Sequence, residues 1–227
     1  MKSQPSVFGH RGWPARFPDN CLAGFLAAAE VADGVELDVR RSSDGKLVLS
    51  HDPVISGFVV ADTPWSTLAE IDLGSGHHPA LLDEVMAALP DTPIQLEVKN
   101  LAFDPGFEPD HRLALETAER ARPGDYVTGF NPETLRAVRQ VFPDVATGLA
   151  VPAGVALDEA VKQCLDAGHR AVVPHHSLVI ATVPGGIEVF TWTVDGPERA
   201  IELADFGVTG IITNDPGLIT RTLRSDR

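Results

Sequence analysis

The sequence predicts a compact (β/α)8 barrel, and three observations predict it. Short β-branched or apolar runs alternate with Ala/Leu/Arg/Glu-rich stretches of helical spacing from one end of the chain to the other. Eight strands can be read, and 227 residues is close to the roughly 250 typical of that architecture. No Pro/Ser-rich linker, low-complexity tract or shift in composition interrupts the series, so one domain over residues 1–227 is expected. A doubly wound parallel sheet is the competing arrangement.

Strands are expected near Val7 to Arg11, Val35 to Arg40, Ile94 to Lys99, Tyr126 to Phe130, Val145 to Ala150, Ala171 to Pro174, Glu188 to Val194 and Val208 to Thr213. Helices follow near Cys21 to Val31, Leu81 to Leu89, Arg112 to Ala121, Pro132 to Val141, Leu157 to Ala167, Pro197 to Ala204 and Pro216 to Arg224. Pro132, Pro197 and Pro216 come after Asn, Gly and Asp, which suits a first helical turn, where a missing N–H costs nothing. Ser177 to Gly186 is too short and too rich in Pro and Gly for a full helix, so the sixth helix is expected to be degenerate. After the second strand, Asp44-Gly45 signals a small hairpin insertion.

Composition excludes several classes. Eighteen Lys+Arg against 32 Asp+Glu leave a formal charge of −14, which repels nucleic acid and anionic membrane surfaces alike. The longest uncharged run, Ala171 to Ile187, is broken by Pro174, Pro184, Gly185 and Gly186, whereas a membrane span needs about 20 mostly apolar residues. No nucleic-acid partner and no stable membrane insertion are therefore expected. Cys21 and Cys164 lie far apart with no CxxC spacing, which predicts neither a disulfide framework nor a thiolate metal site and suits a reducing, cytoplasmic compartment. The opening MKSQPSVFGHRG leaves no room for the apolar stretch of a secretory signal. The expected state is a monomer or weak homo-oligomer.

Parallel strands covered on both faces usually read as continuous apolar runs. Two strands here do not. In Val35-Glu36-Leu37-Asp38-Val39 the carboxylates are two residues apart and share a face, and Ile94-Gln95-Leu96-Glu97-Val98-Lys99 alternates in the same way. With the aliphatics on the helix layer, Glu36, Asp38, Glu97 and Lys99 point into the barrel, late in their strands, where active sites of this architecture lie. An antiparallel edge with its polar side in water is the competing reading, and the repetition in two central strands argues against it. Three acids and one Lys leave excess negative charge, which one divalent cation bound by oxygen ligands would remove. The absence of nearby Cys or His-x-x-x-His spacing favours Mg²⁺ or Ca²⁺ over Zn²⁺.

A two-residue Asp44-Gly45 turn would pair Arg41 with Val48, Arg40 with Leu49 and Asp38 with His51, delivering His51 beside the acids at a Cβ distance of about 5 Å. A longer loop would shift that register by one and turn His51 away. Gly9-His10-Arg11-Gly12 ends the first strand at the same pole. Strict alternation sends His10 and Arg11 to opposite faces, so periodicity leaves their convergence open. His77, His78, His111 and His169 read as solvated. His175 and His176 end the sixth strand at the correct pole, where one could line a pocket.

The string Gly9-His10-Arg11-Gly12, Pro18-Asp19-Asn20, Glu36-Leu37-Asp38-Val39, Asp44-Gly45, His51-Asp52, Glu97-Val98-Lys99, Thr191-Trp192-Thr193-Val194 and Gly210-Ile211-Ile212-Thr213-Asn214 resembles the glycerophosphodiester phosphodiesterase family over nearly the whole chain. The resemblance implies a (β/α)8 barrel that hydrolyses glycerophosphodiesters to glycerol 3-phosphate and an alcohol with a divalent cation. Carried over residue by residue, it puts the metal ligands on Glu36, Asp38 and Glu97 and the acid/base pair on His10 and His51. Arg11 and Lys99 take the phosphate-neutralising positions. Trp192 takes the place of an aromatic that packs on glycerol or closes the pocket floor; a plain core Trp is the alternative. His10 is assigned to the nucleophile and His51 to the leaving group, and the nucleophile is either the glycerol 2-hydroxyl or water. The family's Pro-Glu-Asn-Thr is Pro-Asp-Asn-Cys here, its Ser-Phe is Gly129-Phe130, and Asp195 and Asn214 stand where it has Asn and Asp. The short insertion from Asp52 to Pro79 predicts an open mouth. Two alternatives accompany this reading: a barrel phosphodiesterase for another diester, such as a lysophospholipid or a glycerol-phosphate polymer, and an inactive barrel that binds a phosphorylated ligand.

Overall fold

The computed structural model describes residues 4–225. Met1 to Ser3, part of the segment read as lacking a secretory signal, lie outside the described residues. Eight parallel strands, Ser6–His10, Gly34–Arg41, Ile94–Val98, Tyr126–Gly129, Ala146–Val151, Ala171–Pro174, Glu188–Thr191 and Gly210–Thr213, each pair with the next. The first also pairs with the last, Val7 beside Ile211, so the sheet closes. A doubly wound sheet cannot close in this way. The expected barrel is the one observed.

Helices Leu22–Ala29, Leu82–Ala88, Arg112–Arg120, Pro132–Val141, Leu157–Ala167, Pro197–Phe206 and Pro216–Ser225 cover the outside. Between the sixth and seventh strands there is only a single 3-10 turn, His176–Leu178, as the Pro/Gly content of that segment predicts. The helix starts follow capping chemistry. Asn131 accepts from the Glu133 N–H ahead of Pro132, and Asp215 accepts from the Leu218 N–H at 3.0 Å. At Leu22–Ala29 the cap is the Cys21 thiol, 3.4 Å from the Gly24 nitrogen, a weaker acceptor than a hydroxyl.

Alternation along the strands splits the core in two. Val7, Leu37, Leu96, Val189 and Ile211 face the helices, while Phe8, Phe190, Ile212 and Val173 fill the barrel interior with Tyr126. On the side of the second and third strands the interior is polar instead, with Glu36, Asp38 and Gln95 all buried. Burying such groups is costly unless they are paired or bind something, and this asymmetry positions the site.

The hairpin after the second strand forms, but its register differs from the expected one. Val39 faces Leu49, Arg40 faces Val48 and Arg41 faces Leu47. The loop is three residues long, Ser43 to Gly45, closed by the Ser42 N–H on the Lys46 carbonyl at 2.9 Å. The reason lies at Asp44, whose carboxylate accepts from the Ser42 hydroxyl at 2.6 Å and from the Trp65 N–H at 3.0 Å, while Gly45 alone takes the left-handed conformation, φ +82°. That is the three-residue hairpin with glycine at its left-handed position. The return strand, Leu47–Leu49, occupies the edge of the second strand that the first strand vacates when it ends at His10.

His169 corrects another expectation. It is buried, at 5% exposure, with Nδ1 2.9 Å from the Thr147 hydroxyl. Burial, followed by Arg139 and Arg136, lowers its pKa from 6.5 to about 4. Between those values the unfolded chain binds a proton that the folded chain refuses, so stability is fully present above pH 6.5 and is lost as pH falls toward 4. Urea unfolding of wild type is expected to lose more stability between pH 7 and 4.5 than that of His169→Asn. Equal losses would contradict this assignment.

Candidate active site

At the C-terminal mouth the first strand ends at His10, and Arg11 takes φ +53°. That left-handed residue breaks the alternation, so His10 and Arg11 both line the same cavity, the point periodicity left open. The turn packs hard on the following helix. A Cβ on Gly12 would lie 2.8 Å from the Gly24 carbonyl carbon, at φ +91°, so this position requires glycine. The Glu36 carboxylate accepts from the Arg11 N–H at 3.0 Å and ties the turn to the second strand.

Glu36, Asp38 and Glu97 bring one carboxylate oxygen each to within 4.8 Å of one another. Strand register dictates this, since Asp38 stands beside Glu97 and both face inward. Lys99 Nζ reaches Asp38 at 2.7 Å and also contacts Glu97. Arg11 Nε lies 3.2 Å from Asp38 and its Nη1 2.9 Å from Asp19. Burial opposes the charge on Asp38, but Lys99, Arg11 and His51 outweigh it and hold its carboxyl below the usual range. Burial likewise opposes the Lys99 ammonium, and Glu97, Asp38 and Glu36 outweigh it in the other direction. Glu36 is the member left over. Burial, with Asp38 and Glu97 adding repulsion, pushes its pKa well above normal, and its Oε1 has no hydrogen-bond partner among the described residues.

Three carboxylates against two cationic groups, with one buried oxygen orphaned, fit a divalent cation. The donor set is all oxygen, which is the chemistry of a hard ion. Glu36, Asp38 and Glu97 are the residues able to hold it.

The shifted hairpin register does not turn His51 away. Asp38 now stands opposite Ser50, whose N–H donates to the Asp38 carbonyl at 3.0 Å, and the chain then leaves the ladder. Arg40 Nε and Nη2 donate to the His51 carbonyl at 3.0 and 2.7 Å, and Asp104 anchors the same guanidinium at 2.8 Å. His51 is thereby bent back to the cavity wall. Its Nδ1 lies 2.7 Å from Asp52, and its side chain is 43% exposed.

His10 is oriented from the opposite end of the sequence. Its Nδ1 lies 2.7 Å from Asn214 Oδ1. Asn214 Nδ2 donates to Asp195 at 2.8 Å, as does its backbone N–H, which fixes the amide orientation and makes Oδ1 the atom facing His10. Nδ1 of His10 therefore carries the proton and Nε2 is the basic nitrogen. Burial, then Arg11, lowers the His10 pKa. Asp195 and Asn214 are bonded to each other, and the neutral amide lies against the imidazole.

His10, Arg11, Glu36, His51, Glu97, Lys99 and Trp192 all line one cavity of about 80 Å³, with Asp38 immediately behind. Trp192 Nε1 donates to the Val173 carbonyl at 2.8 Å and its ring meets Phe130 edge-on at 5.6 Å, so it serves as wall and core at once. His175 stacks edge-on against the same Trp at 5.3 Å, and neither His175 nor His176 lines the cavity.

The insertion packs on its own small core of Val48, Ile55, Val60, Leu68 and Ile71, and flanks the mouth without covering His51. Beside it runs a groove of about 390 Å³ between Asp19, His51 and Asp72. Sequence reasoning passed over three contributors. Asn20 Nδ2 donates to Asp38 at 2.9 Å and its Oδ1 accepts from the Asp38 N–H, fixing that acid from two sides. Asn214 orients His10. Gln95, one step below Glu97 on its strand, reaches the same cavity. Asn20 and Gln95 sat inside motifs that were read; nothing local marks Asn214 as the partner of a residue 204 positions away.

A closed parallel barrel that collects acids, imidazoles and fixed cations around one cavity at its C-terminal mouth has the parts of a phosphoester hydrolase. Comparison with known proteins narrows that class. The sequence model of the glycerophosphoryl diester phosphodiesterase family matches residues 10–218, and the chain belongs to this family. A glycerophosphodiester phosphodiesterase of Caldanaerobacter subterraneus subsp. tengcongensis is 30% identical over 243 residues, covering 96% of this chain and 97% of that protein. Among solved structures, an Oleispira antarctica phosphodiesterase in complex with the product sn-glycerol-3-phosphate superposes with a TM-score of 0.83 at 21% identity, covering 97% of each chain. The glycerophosphodiester phosphodiesterase of Thermotoga maritima gives 0.79 at 25% identity, covering 97% of this chain and 99% of that one.

Proposed function

We propose that the chain, as one catalytic domain, hydrolyses glycerophosphodiesters to sn-glycerol 3-phosphate and an alcohol by histidine acid/base catalysis. One observation carries this reading: two imidazoles, each with Nδ1 tied to a side-chain oxygen, open on the cavity that Glu36 and Glu97 of the acid trio also line. A ligand-binding barrel has no use for such a pair.

His10 acts on the nucleophile. Its Nδ1–H is held by Asn214, so Nε2 is free to accept the proton of the attacking hydroxyl, either the glycerol 2-hydroxyl or water. His51, backed by Asp52 at 2.7 Å, protonates the leaving alkoxide. Its partial exposure suits a group that faces the departing alcohol. Glu36, Asp38 and Glu97 would hold the divalent cation, Mg²⁺ or Ca²⁺, which would supply Lewis-acid charge and a template for the phosphoryl oxygens. Arg11 and Lys99 line the same cavity and offer their charge to the phosphate, where it gains value as negative charge develops. Trp192 and Phe130 form the apolar wall beside the glycerol carbons. Both cysteines are free and buried, which suits a protein of the reducing cytoplasm, and the charge of −14 favours a monomer or weak homo-oligomer. No helix among the described residues is long and apolar enough to cross a membrane.

The test is release of sn-glycerol 3-phosphate from glycerophosphocholine and glycerophosphoethanolamine by the purified protein with added Mg²⁺ or Ca²⁺. Product from either diester is the expected result. Tight binding of glycerol 3-phosphate without hydrolysis of any diester would favour the binding barrel.

A further inference from the structure

One polar side chain in the cavity pairs with no other group of the protein among the described residues. Gln95 is 1% exposed, it lines the cavity, and neither its Nε2 nor its Oε1 has a hydrogen-bond partner among those residues. Buried amides are nearly always paired, and an apolar residue of similar size would fill this place without the desolvation cost. The barrel therefore keeps an amide where packing asks for none.

Its position says which part of a substrate it meets. Gln95 precedes Glu97 by two residues on the same inward face, about 6–7 Å further from the mouth, and stands beside Glu36 in strand register. The phosphate-neutralising groups, Arg11 and Lys99, lie at the mouth. Gln95 thus faces the end of the substrate remote from phosphorus. Its chemistry says what kind of group that is. An amide with both atoms unpaired offers a donor and an acceptor side by side. A phosphate oxygen satisfies only the donor and an ammonium only the acceptor; a hydroxyl satisfies both. The space says how large the group is. The cavity of about 80 Å³ holds only several water-sized volumes at about 10–15 Å³ each, room for a three-carbon polyol.

We infer that Gln95 is a specificity-determining residue that binds the terminal, sn-1 hydroxyl of the glycerol moiety. This rests on the reading of the site as a glycerophosphodiesterase and assigns one more residue to it.

The experiment compares kcat/KM for glycerophosphocholine and for 2-hydroxypropyl phosphocholine, the same diester without the terminal hydroxyl, in wild type and in Gln95→Met. Wild type is expected to prefer glycerophosphocholine by about 10–100-fold. In Gln95→Met the preference falls to within about threefold of unity, the loss falling on glycerophosphocholine, while the thermal midpoint stays at or above that of wild type because an orphaned amide has been removed. Should that variant fail to fold, Gln95→Asn, which keeps both polar atoms one methylene short, is expected to lower the preference several-fold. Equal wild-type rates on the two diesters, or a folded variant that retains the full preference, overturns the role. Failure of wild type to hydrolyse any glycerol diester overturns the underlying reading, and this role with it.

Discussion

His51→Ala is expected to lower kcat for glycerol 3-phosphate release by about 10²–10⁴-fold, the usual share of one acid or base group, and to leave thermal unfolding unchanged. The two halves of that result have separate causes. The imidazole is partly exposed and its Nδ1 contact is to the neighbouring Asp52, so little packing is lost on truncation. The path of the chain is set by the backbone carbonyl of His51, which Arg40 grips through two nitrogens while bonded to Asp104. The loop thus keeps its place with alanine in position. His10→Ala should cost a similar factor in kcat, together with some stability, because that ring is half-buried and bonded to Asn214. Since the pair acts in one reaction, the double variant is expected to lose little beyond either single one. Near-normal turnover by His51→Ala, measured alongside an unchanged unfolding midpoint, would remove the proposed leaving-group acid.

Treating the protein with a chelator is expected to cut turnover by at least about 100-fold, since Lewis-acid stabilisation of a phosphoryl oxygen is worth several kcal/mol. Mg²⁺ or Ca²⁺ in excess should restore it. The site already compensates two of its acids internally, with Lys99 on Asp38 and Glu97 and Arg11 on Asp38. The third, Glu36, carries one oxygen with no hydrogen-bond partner among the described residues. Ion binding to the folded state should also raise stability, by about 2.7 kcal/mol at a hundred times the dissociation constant. Calorimetry or a melting curve with and without the ion reads that gain independently of activity. Full turnover in chelator, with no shift in melting on adding either ion, would dismiss the metal role.

Much of the site was legible because its ingredients are local. Glu36 and Asp38 two residues apart, and Gln95, Glu97 and Lys99 in the same alternation, state which face carries charge wherever the strand is placed. The degenerate sixth helix was equally plain from Pro184, Gly185 and Gly186. The hairpin was legible as a reversal but not in register. Asp44-Gly45 suits a two-residue turn, and in the longer loop that forms Asp44 accepts from the Trp65 N–H, 21 residues away, as well as from the Ser42 hydroxyl. His169 reads as solvated beside a helix, yet Thr147, 22 residues earlier, holds it buried. Gln95 was visible in the polar alternation, but whether its amide finds a partner depends on neighbours from other strands.

By itself the sequence determined the class of fold, the inward face of the two acidic strands and the residue types that carry the chemistry, since side-chain direction along a strand has a period of two whatever surrounds it. Tertiary structure alone decided which of these groups meet. The left-handed Arg11 turns two successive side chains into one cavity, closure of the barrel brings Asn214 to His10, and the grip of Arg40 on a carbonyl redirects His51 after the ladder has ended. Each of these contacts joins parts of the chain whose relative position is set by packing and loop closure, quantities that depend on the whole molecule and leave no mark in any local pattern.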